Sequence, residues 1–278
     1  MSSWPELLRL ALRNLGRHRR RTAITALSIT FGVGLTVFME SMATGMYDKL
    51  TMDATRMQGG TVTVQHPDYM AEPAVGLYVP DAASLQQKLG SLPGVDSTKR
   101  TLLAQAVGRT GKGAAGISLM GVEPEAESLA SPIAKKMISG RYLLPGDRDV
   151  VVIGHKLARR LSLDLGKKMV LTSSDAEGNI TERLLRVRGI FETGSTAFDA
   201  YLVQAPIDSL VEMYGLPSGS ATQVGVMVQE LQQLDQVLAE VRAQLGTEGS
   251  NAYPWQEVMP ALANYIRSDH GALVFITW

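Results

Sequence analysis

The chain has 278 residues, and its 27 basic and 27 acidic side chains give a formal net charge of zero at pH 7. It contains no cysteine, so disulfides and cysteine nucleophiles are excluded. The neutral total conceals an uneven distribution, because residues 41–278 carry 21 basic and 25 acidic side chains whereas a cluster of arginines precedes them. Since this mildly acidic body offers no second basic surface, no nucleic-acid partner is expected.

The first 21 residues have the pattern of a basic amphipathic helix. Trp4, Leu8, Ala11 and Leu15 fall on one helical face, and arginines fall on the other. Such a helix lies in the interface of a membrane, with its arginines near anionic headgroups. We predict a cytoplasmic elbow helix at residues 1–21, with these residues at the membrane interface: Trp4, Arg9, Arg13, Arg17, Arg19, Arg20 and Arg21.

Residues 22–39 follow as an uncharged run that is long enough to span a membrane. As a helix the run covers about 27 Å, close to the hydrocarbon thickness of a bilayer, and we predict a transmembrane helix at 22–46. The arginines before it place the N-terminus in the cytoplasm and the body across the membrane. Two alternatives are a cleaved secretory signal, with Ser41 and Ala43 as the cleavage-like pair, and a buried helix of a soluble domain.

Three small residues, Ser28, Gly32 and Thr36, recur every fourth position in the predicted span. Small side chains allow another helix backbone to approach closely inside a bilayer. The strip therefore predicts a helix that packs against a protein partner.

The body, residues 47–267, is predicted to be one large α/β domain, so that the fold class is a membrane-anchored mixed α/β protein. Helices are predicted at residues 81–92, opened by Asp81, at 206–214, bracketed by Pro206 and Gly215, and at 230–245. Strands are predicted at residues 61–65, 102–109, 117–122, 150–153, 168–173, 184–191, 200–203 and 222–228.

The last segment differs from the rest of the body. Residues 255–267 suit one helix, and residues 271–278 are apolar but too short to cross a bilayer. We expect residues 268–278 to be the start of a second transmembrane helix that has been cut off, with a buried tail as the alternative.

No catalytic, cofactor-binding or metal-binding constellation emerges from the sequence. Gly111, Gly113 and Gly116 spell a dinucleotide-binding motif, but a predicted strand follows them, so a hairpin tip explains them better. The alternate carboxylates at 123, 125 and 127 are interpreted as a solvated turn. The four histidines, His18, His66, His155 and His270, show no ligand spacing and are interpreted as single surface or interface residues.

Several short motifs resemble the MacB/FtsX/LolC-LolE type of ABC-transporter permease, with its MacB-like periplasmic core domain. Residues 10–15 (LALRNL) and 19–22 (RRRT) resemble the family's first span. In the body, residues 140–141 (GR), 149–154 (DVVVIG), 156–158 (KLA), 165–166 (LG), 187–191 (VRGIF) and 193–194 (TG) resemble its periplasmic core domain. Lys167 departs from the pattern, since the family often has an Asp there.

The resemblance implies a permease of the bacterial inner membrane, without enzymatic activity of its own. Its implied partners are a separate cytoplasmic ATPase subunit, a second permease copy or paralogue in a dimer, membrane lipid, and a periplasmic chaperone or adaptor. Lipoprotein release from the inner membrane is the first expected function, and efflux of amphiphilic molecules or peptides is the second. A single-span membrane-anchored binding or sensor protein is the alternative from another class.

Overall fold

The computed structural model describes residues 18–245 and 249–276, with side-chain environments for all of these except 129–130 and 269–276. The chain divides into two compact units. One contains the residues up to Leu50 together with those from Ile266 onward, and the other is Thr51–Tyr265, which we call the domain.

A single helix, α1 (Arg19–Met57), runs for 39 residues and contains the predicted span. At 1.5 Å per residue it is about 58 Å long, roughly twice what a bilayer core requires. The apolar stretch is long enough to cross a membrane, and none of it is buried. A buried helix of a soluble domain is therefore contradicted by the structure. The helix also continues without interruption through Ser41 and Ala43.

The described part of the domain is built on ten strands. The strands are β1 (Val62–Gln65), β2 (Val95–Thr110), β3 (Gly113–Val122), β4 (Met137–Gly140), β5 (Val150–Gly154), β6 (Lys168–Ser174), β7 (Ile180–Phe191), β8 (Leu202–Pro206), β9 (Gln223–Val228) and β10 (Asn251–Pro254). Their order is β10-β1-β9-β2-β3-β8-β5-β7-β4, and β6 pairs with both β2 and β7. Because β6 joins those two strands, the path β2-β3-β8-β5-β7-β6 closes into a ring.

The described residues contain nine further helices. They are α2 (Ala82–Gly90), α3 (Pro124–Ala130), α4 (Pro132–Lys135), α5 (His155–Leu161), α6 (Thr196–Tyr201), α7 (Ile207–Met213), α8 (Leu234–Gln244), α9 (Trp255–Val258) and α10 (Pro260–Ile276). Within the domain, α2 packs on β2 and β9, α7 on β2 and β3, and α8 on β10. Two short 3-10 helices, Pro67–Met70 and Leu231–Gln233, complete the described structure.

A hydrophobic core lies where β3, β5 and β7 meet the segment around β4. Its buried members are Met120, Val122, Ile133, Tyr142, Leu143, Val150, Val152, Phe191 and Leu202. Met57, the last residue of α1, packs against this cluster. The end of the long helix is thus part of the domain core.

Most predicted strands are confirmed, with differences at their ends. The predicted strand at 200–203 begins at Leu202, because α6 extends to Tyr201. Asp81 does precede a helix, but it adopts a left-handed conformation with φ of 51° and its side chain makes no capping hydrogen bond. The predicted boundary between span and body, at residues 46 and 47, falls inside α1.

The single helix predicted at 255–267 is wrong, since the structure contains two. α9 ends at Val258, Met259 leaves the helical region with φ of −123° and ψ of 63°, and α10 begins at Pro260. A proline disfavours the helical conformation of the residue before it, which accounts for the break at Met259. α10 then continues through residues 268–270 to Ile276.

Candidate functional site

The feature of greatest functional interest is the junction at which α1 passes into the sheet. Thr51 and Thr55, in the last two turns, are buried, and the Thr55 hydroxyl donates to the Thr51 carbonyl oxygen over 2.8 Å. With its hydroxyl satisfied inside the helix, Thr55 can be buried without an unpaired polar group. This end of α1 is therefore embedded in the domain.

The turn between α1 and β1 is formed by two glycines that fit closely against β9. Gly60 has φ of +91°, and its N–H donates to the Thr55 carbonyl oxygen over 2.9 Å, which ends the helix. A β-carbon on Gly60 would lie 2.7 Å from the Val226 nitrogen, and one on Gly225 would lie 2.4 Å from the Gly59 carbonyl oxygen. Only glycine fits where two backbones approach this closely.

Thr61 fixes the start of β1 to both neighbouring segments. Its hydroxyl donates to the Val226 carbonyl oxygen over 2.8 Å and accepts from the Val228 N–H over 3.0 Å. Its carbonyl oxygen accepts from the N–H of Trp255, the first residue of α9, over 2.9 Å. Because β1 also pairs with β10, the chain enters the sheet from α1 and leaves it toward α9 on adjacent strands.

Lys99 of β2 joins the carboxyl end of α1 to the domain interior. Its ammonium donates to the Arg56 carbonyl oxygen over 2.6 Å and lies 3.5 Å from a Glu127 carboxylate oxygen. The side chains of Lys99 and Glu127 are only 9% and 2% exposed. A cation at this end of a helix is favourable because the terminal carbonyl groups carry partial negative charge. Burial lowers the pKa of Lys99, and the neighbouring Glu127 opposes that shift.

Glu127 extends this link across the core. Its second carboxylate oxygen lies 3.4 Å from the amide nitrogen of Gln204, and the Gln204 oxygen accepts from the Tyr142 hydroxyl over 2.7 Å. Burial, and then the charge of Glu127, raise the pKa of Tyr142. We call Lys99, Glu127, Gln204 and Tyr142 the buried polar chain. It connects the last turn of α1 with β2, α3, β8 and the segment after β4.

The solvated turn predicted for the three carboxylates is wrong. Pro124 starts α3, so Glu123 and Glu127 lie one turn apart and both point into the domain, whereas Glu125 is exposed. Glu123 accepts from the Arg100 guanidinium over 2.9 Å and from the Gln86 amide over 2.8 Å. Carboxylates at every second position do not indicate a helix, yet the helix here directs Glu123 and Glu127 toward the domain interior.

The predicted helix-packing residues lie on one exposed face of α1. The hydroxyls of Ser28 and Thr36 donate to backbone carbonyl oxygens one turn earlier, and a β-carbon on Gly32 would touch nothing. Four large side chains continue the same face, at successive steps of three, four and four residues. This Met-rich stripe consists of Met39, Met42, Met46 and Leu50, which are between 40% and 63% exposed.

The predicted membrane-interface residues fall into two groups. Arg19, Arg20 and Arg21 lie exposed in the first turn of α1. Trp4, Arg9, Arg13 and Arg17 lie outside the described residues. The role of both groups at the membrane interface stays a prediction.

The remaining sequence motifs are the glycines at residues 111–116 and the histidines. Residues 111 and 112 are the two-residue tip of the β2–β3 hairpin, which confirms the hairpin interpretation of the glycine motif. In the described part of the chain no group of three His, Asp or Glu side chains has the arrangement of a metal site. His155 lies 3.4 Å from Asp199 and 3.6 Å from Glu192. These residues are far apart in the sequence, so their positions along the chain did not predict the contact.

Comparisons with known proteins agree with this architecture. Residues 22–244 match the family described as the MacB-like periplasmic core domain. The periplasmic region of MacB from Actinobacillus actinomycetemcomitans is similar in structure, with 13% identity, a TM-score of 0.51, and coverage of 74% of this chain and 94% of that one. The extracellular domain of the noncanonic ABC-type transporter YknZ from Gram-positive bacteria has 17% identity, a TM-score of 0.49, and coverage of 69% and 98%. No curated protein sequence matches the chain.

Proposed function

The chain belongs to the MacB-like periplasmic core domain family of ABC-transporter permeases, and from this premise we propose that it couples ATP hydrolysis by a separate cytoplasmic subunit to movement of its periplasmic domain. In this proposal the protein is not itself an enzyme. It resides in the bacterial inner membrane with its N-terminus in the cytoplasm, as the arginines before the span indicate.

One observation carries the proposal: α1 is a single unbroken helix from the apolar span to the domain core. A rigid element anchored at its far end can transmit a displacement as a rigid-body movement. The anchoring consists of the glycine turn at Gly59 and Gly60, the hydrogen bonds of Thr61, and the bond from Lys99 to Arg56. A loosely tethered domain would need none of these constraints.

The second permease copy is proposed to pack on the exposed face of α1. Small residues within the span would allow close approach inside the bilayer. Over the last turns of the predicted span and just past it, the Met-rich stripe presents apolar side chains three and four residues apart, the spacing by which paired helices interlock. Both parts lie on the same face, so one partner helix can follow it over its whole length.

Disulfide crosslinking tests this dimer, since the chain has no cysteine of its own. In native membranes, Met46→Cys is expected to form a disulfide-linked dimer under mild oxidation. Thr44→Cys, exposed on the opposite side of the same turn, is the matched control and should remain monomeric. Equal crosslinking at both positions, or none at Met46→Cys, would remove the support for packing on this face.

For the cargo we propose lipoprotein release from the inner membrane. Residues 255–267, which lead to the predicted second transmembrane helix, resemble the corresponding segment of the permeases that release lipoproteins. A periplasmic chaperone would receive the released lipoprotein. Efflux of amphiphilic molecules or peptides through an adaptor is the second candidate. A cavity of about 810 Å³ in the domain favours it, since that volume suits a small molecule.

Copurification of the tagged protein from native membranes tests the central proposal. A permease should recover a nucleotide-binding subunit and show ATPase activity in the complex, whereas a single-span sensor should recover neither. Photocrosslinkers at exposed domain positions should then capture lipoproteins if release is the function. Recovery of an adaptor and an outer-membrane channel, without lipoproteins, would favour efflux instead.

A further inference from the structure

The cavity in the domain has a framework that does not depend on a bound partner. One wall is the loop at residues 71–77, which we call the cover loop, and the opposite wall is formed by β2, β3 and the end of β6. Its volume of about 810 Å³ is within the range of small-molecule pockets. It lies entirely within the domain.

The cover loop is held at three points. Before it, the buried Tyr69 donates its hydroxyl to the Leu103 carbonyl oxygen over 3.2 Å. After it, the Val79 N–H donates to the Ala221 carbonyl oxygen over 2.7 Å. In the middle, Gly76 approaches the β6–β7 turn so closely that a β-carbon there would lie 2.8 Å from the Ala176 carbonyl oxygen. The cavity is therefore preformed, and a ligand would bind without first ordering this loop.

The lining combines apolar walls with negative charge. Tyr69, Val75, Leu77 and Leu103 supply apolar surface, and Glu72 and Asp175 are the charged side chains. Among the described residues that line the cavity there is no lysine, arginine or histidine. Two carboxylates without a compensating cation repel anions and attract cations.

The two carboxylates differ in how much of their hydrogen-bonding capacity is used within the chain. Asp175 accepts from the backbone N–H groups of Glu177 and Asn179, both over 2.9 Å, and so stabilises the β6–β7 turn. The Glu72 carboxylate has no hydrogen-bond or ion-pair partner within the described part of the chain. Glu72 is thus the group whose charge is available to a ligand.

We propose that this cavity binds small molecules with an apolar body and a positively charged head, and that Glu72 contacts the head. The apolar body occupies the space beside Tyr69, Val75 and Leu103, where it is removed from water. The proposal concerns binding by the domain and holds whether or not the ligand is transported. It therefore does not rest on the permease function.

Three probes with the same body and different heads test the charge preference. They are phenylbutyltrimethylammonium, phenylbutanol and 5-phenylpentanoate, each with four methylene groups between the ring and the head. The full chain, reconstituted in zwitterionic nanodiscs, carries Ser118→Cys, a half-buried position that lines the cavity. Protection of this thiol from the uncharged reagent N-ethylmaleimide reports occupancy. Ile180→Cys, 79% exposed and outside the lining, is the control for indirect effects of each probe.

The cation should protect Ser118→Cys with an affinity at least about tenfold higher than that of the anion, and the alcohol should fall between them. Glu72→Gln should weaken binding of the cation by about threefold to tenfold and leave the alcohol unchanged. Glu125→Gln removes an exposed carboxylate outside this lining and should change neither.

Three results would overturn the proposal. They are equal protection by the cation and the anion, stronger protection by the anion, and no protection by any probe up to about 10 mM, where even weak complexes form. Loss of cation binding in Glu125→Gln as well as in Glu72→Gln would likewise remove the assigned role of Glu72.

Discussion

At the scale of single residues, the Lys99–Glu127 pair has the largest expected effect. Lys99→Met leaves the Glu127 carboxylate buried without its cation, and such a loss costs about 3–5 kcal/mol of folding free energy. The double variant Lys99→Met/Glu127→Leu removes both charges and should be more stable than Lys99→Met. Urea unfolding of the solubilised chain, followed by Trp255 fluorescence in a Trp4→Phe/Trp278→Phe background, measures both. Additive losses in the double variant would contradict coupling between the two side chains.

A second residue-scale prediction concerns pH. The Arg141 guanidinium donates to both carboxylate oxygens of Asp147, over 2.7 and 2.8 Å, and these bonds hold the pKa of Asp147 below its usual value. Because the folded pKa is depressed, the stabilisation is complete above about pH 4, the unfolded pKa, and is lost as pH falls through the folded pKa. Asp147→Asn should lose about 1 kcal/mol at pH 7 and little near pH 2.

The same unfolding assay at the two pH values checks this prediction. Asp96→Asn is a suitable control, since Asp96 lies 3.9 Å from Arg56 and both side chains are more than 40% exposed. Exposed pairs contribute little, so this variant should resemble the parent chain at both pH values. A loss in Asp147→Asn that is equally large at the acidic value would show that the ion pair is not its source.

Sequence reasoning is weakest at this scale. Lys99, Glu127, Gln204 and Tyr142 are separated by up to 105 positions, and nothing in their spacing indicates that they meet. Pro124 was a usable signal, since a proline followed by Glu125 and Glu127 is typical of the first turn of a helix. The buried glycine contacts of the α1–β1 turn also depend on β9, which is remote in sequence.

At the scale of elements, the continuity of α1 is the feature on which coupling depends. Met46→Pro removes a backbone hydrogen bond and should kink the helix, whereas Met46→Ala should leave it straight. Spin labels at Met39→Cys and Asp53→Cys are separated by about 21 Å of helical rise. Their distance distribution should be narrow in the Ala variant and broad or displaced in the Pro variant. A narrow distribution that is unchanged by proline would contradict the rigid-helix interpretation.

Elements with strong local signals were predicted well. β5, β6 and β9 match runs of β-branched and apolar residues, and α7 is bracketed by Pro206 and Gly215 as expected. The elements β4, α5 and β10 had no recognisable periodicity in the sequence and were not predicted. Pro260 was a signal in the sequence for the break between α9 and α10. The helical spacing of the apolar residues in 255–267 nevertheless favoured one continuous helix.

At the scale of the whole molecule, the orientation across the membrane is the decisive prediction. Ile180→Cys in the domain should react with a membrane-impermeant maleimide in intact spheroplasts, because the domain is proposed to be periplasmic. Ser3→Cys in the leader should react only after the membrane is permeabilised. The reverse labelling pattern would place the domain in the cytoplasm and remove the basis of the permease proposal.

The position of β1 beside β10 also has a consequence for engineering. The backbone enters the sheet at Thr61 and leaves it at Trp255, and one hydrogen bond joins these two residues. Because the domain begins and ends at neighbouring positions, a related domain can replace it without changing the distance between the flanking helices. Chimeras that splice a related domain between residues 60 and 255 should therefore retain foldable flanking helices.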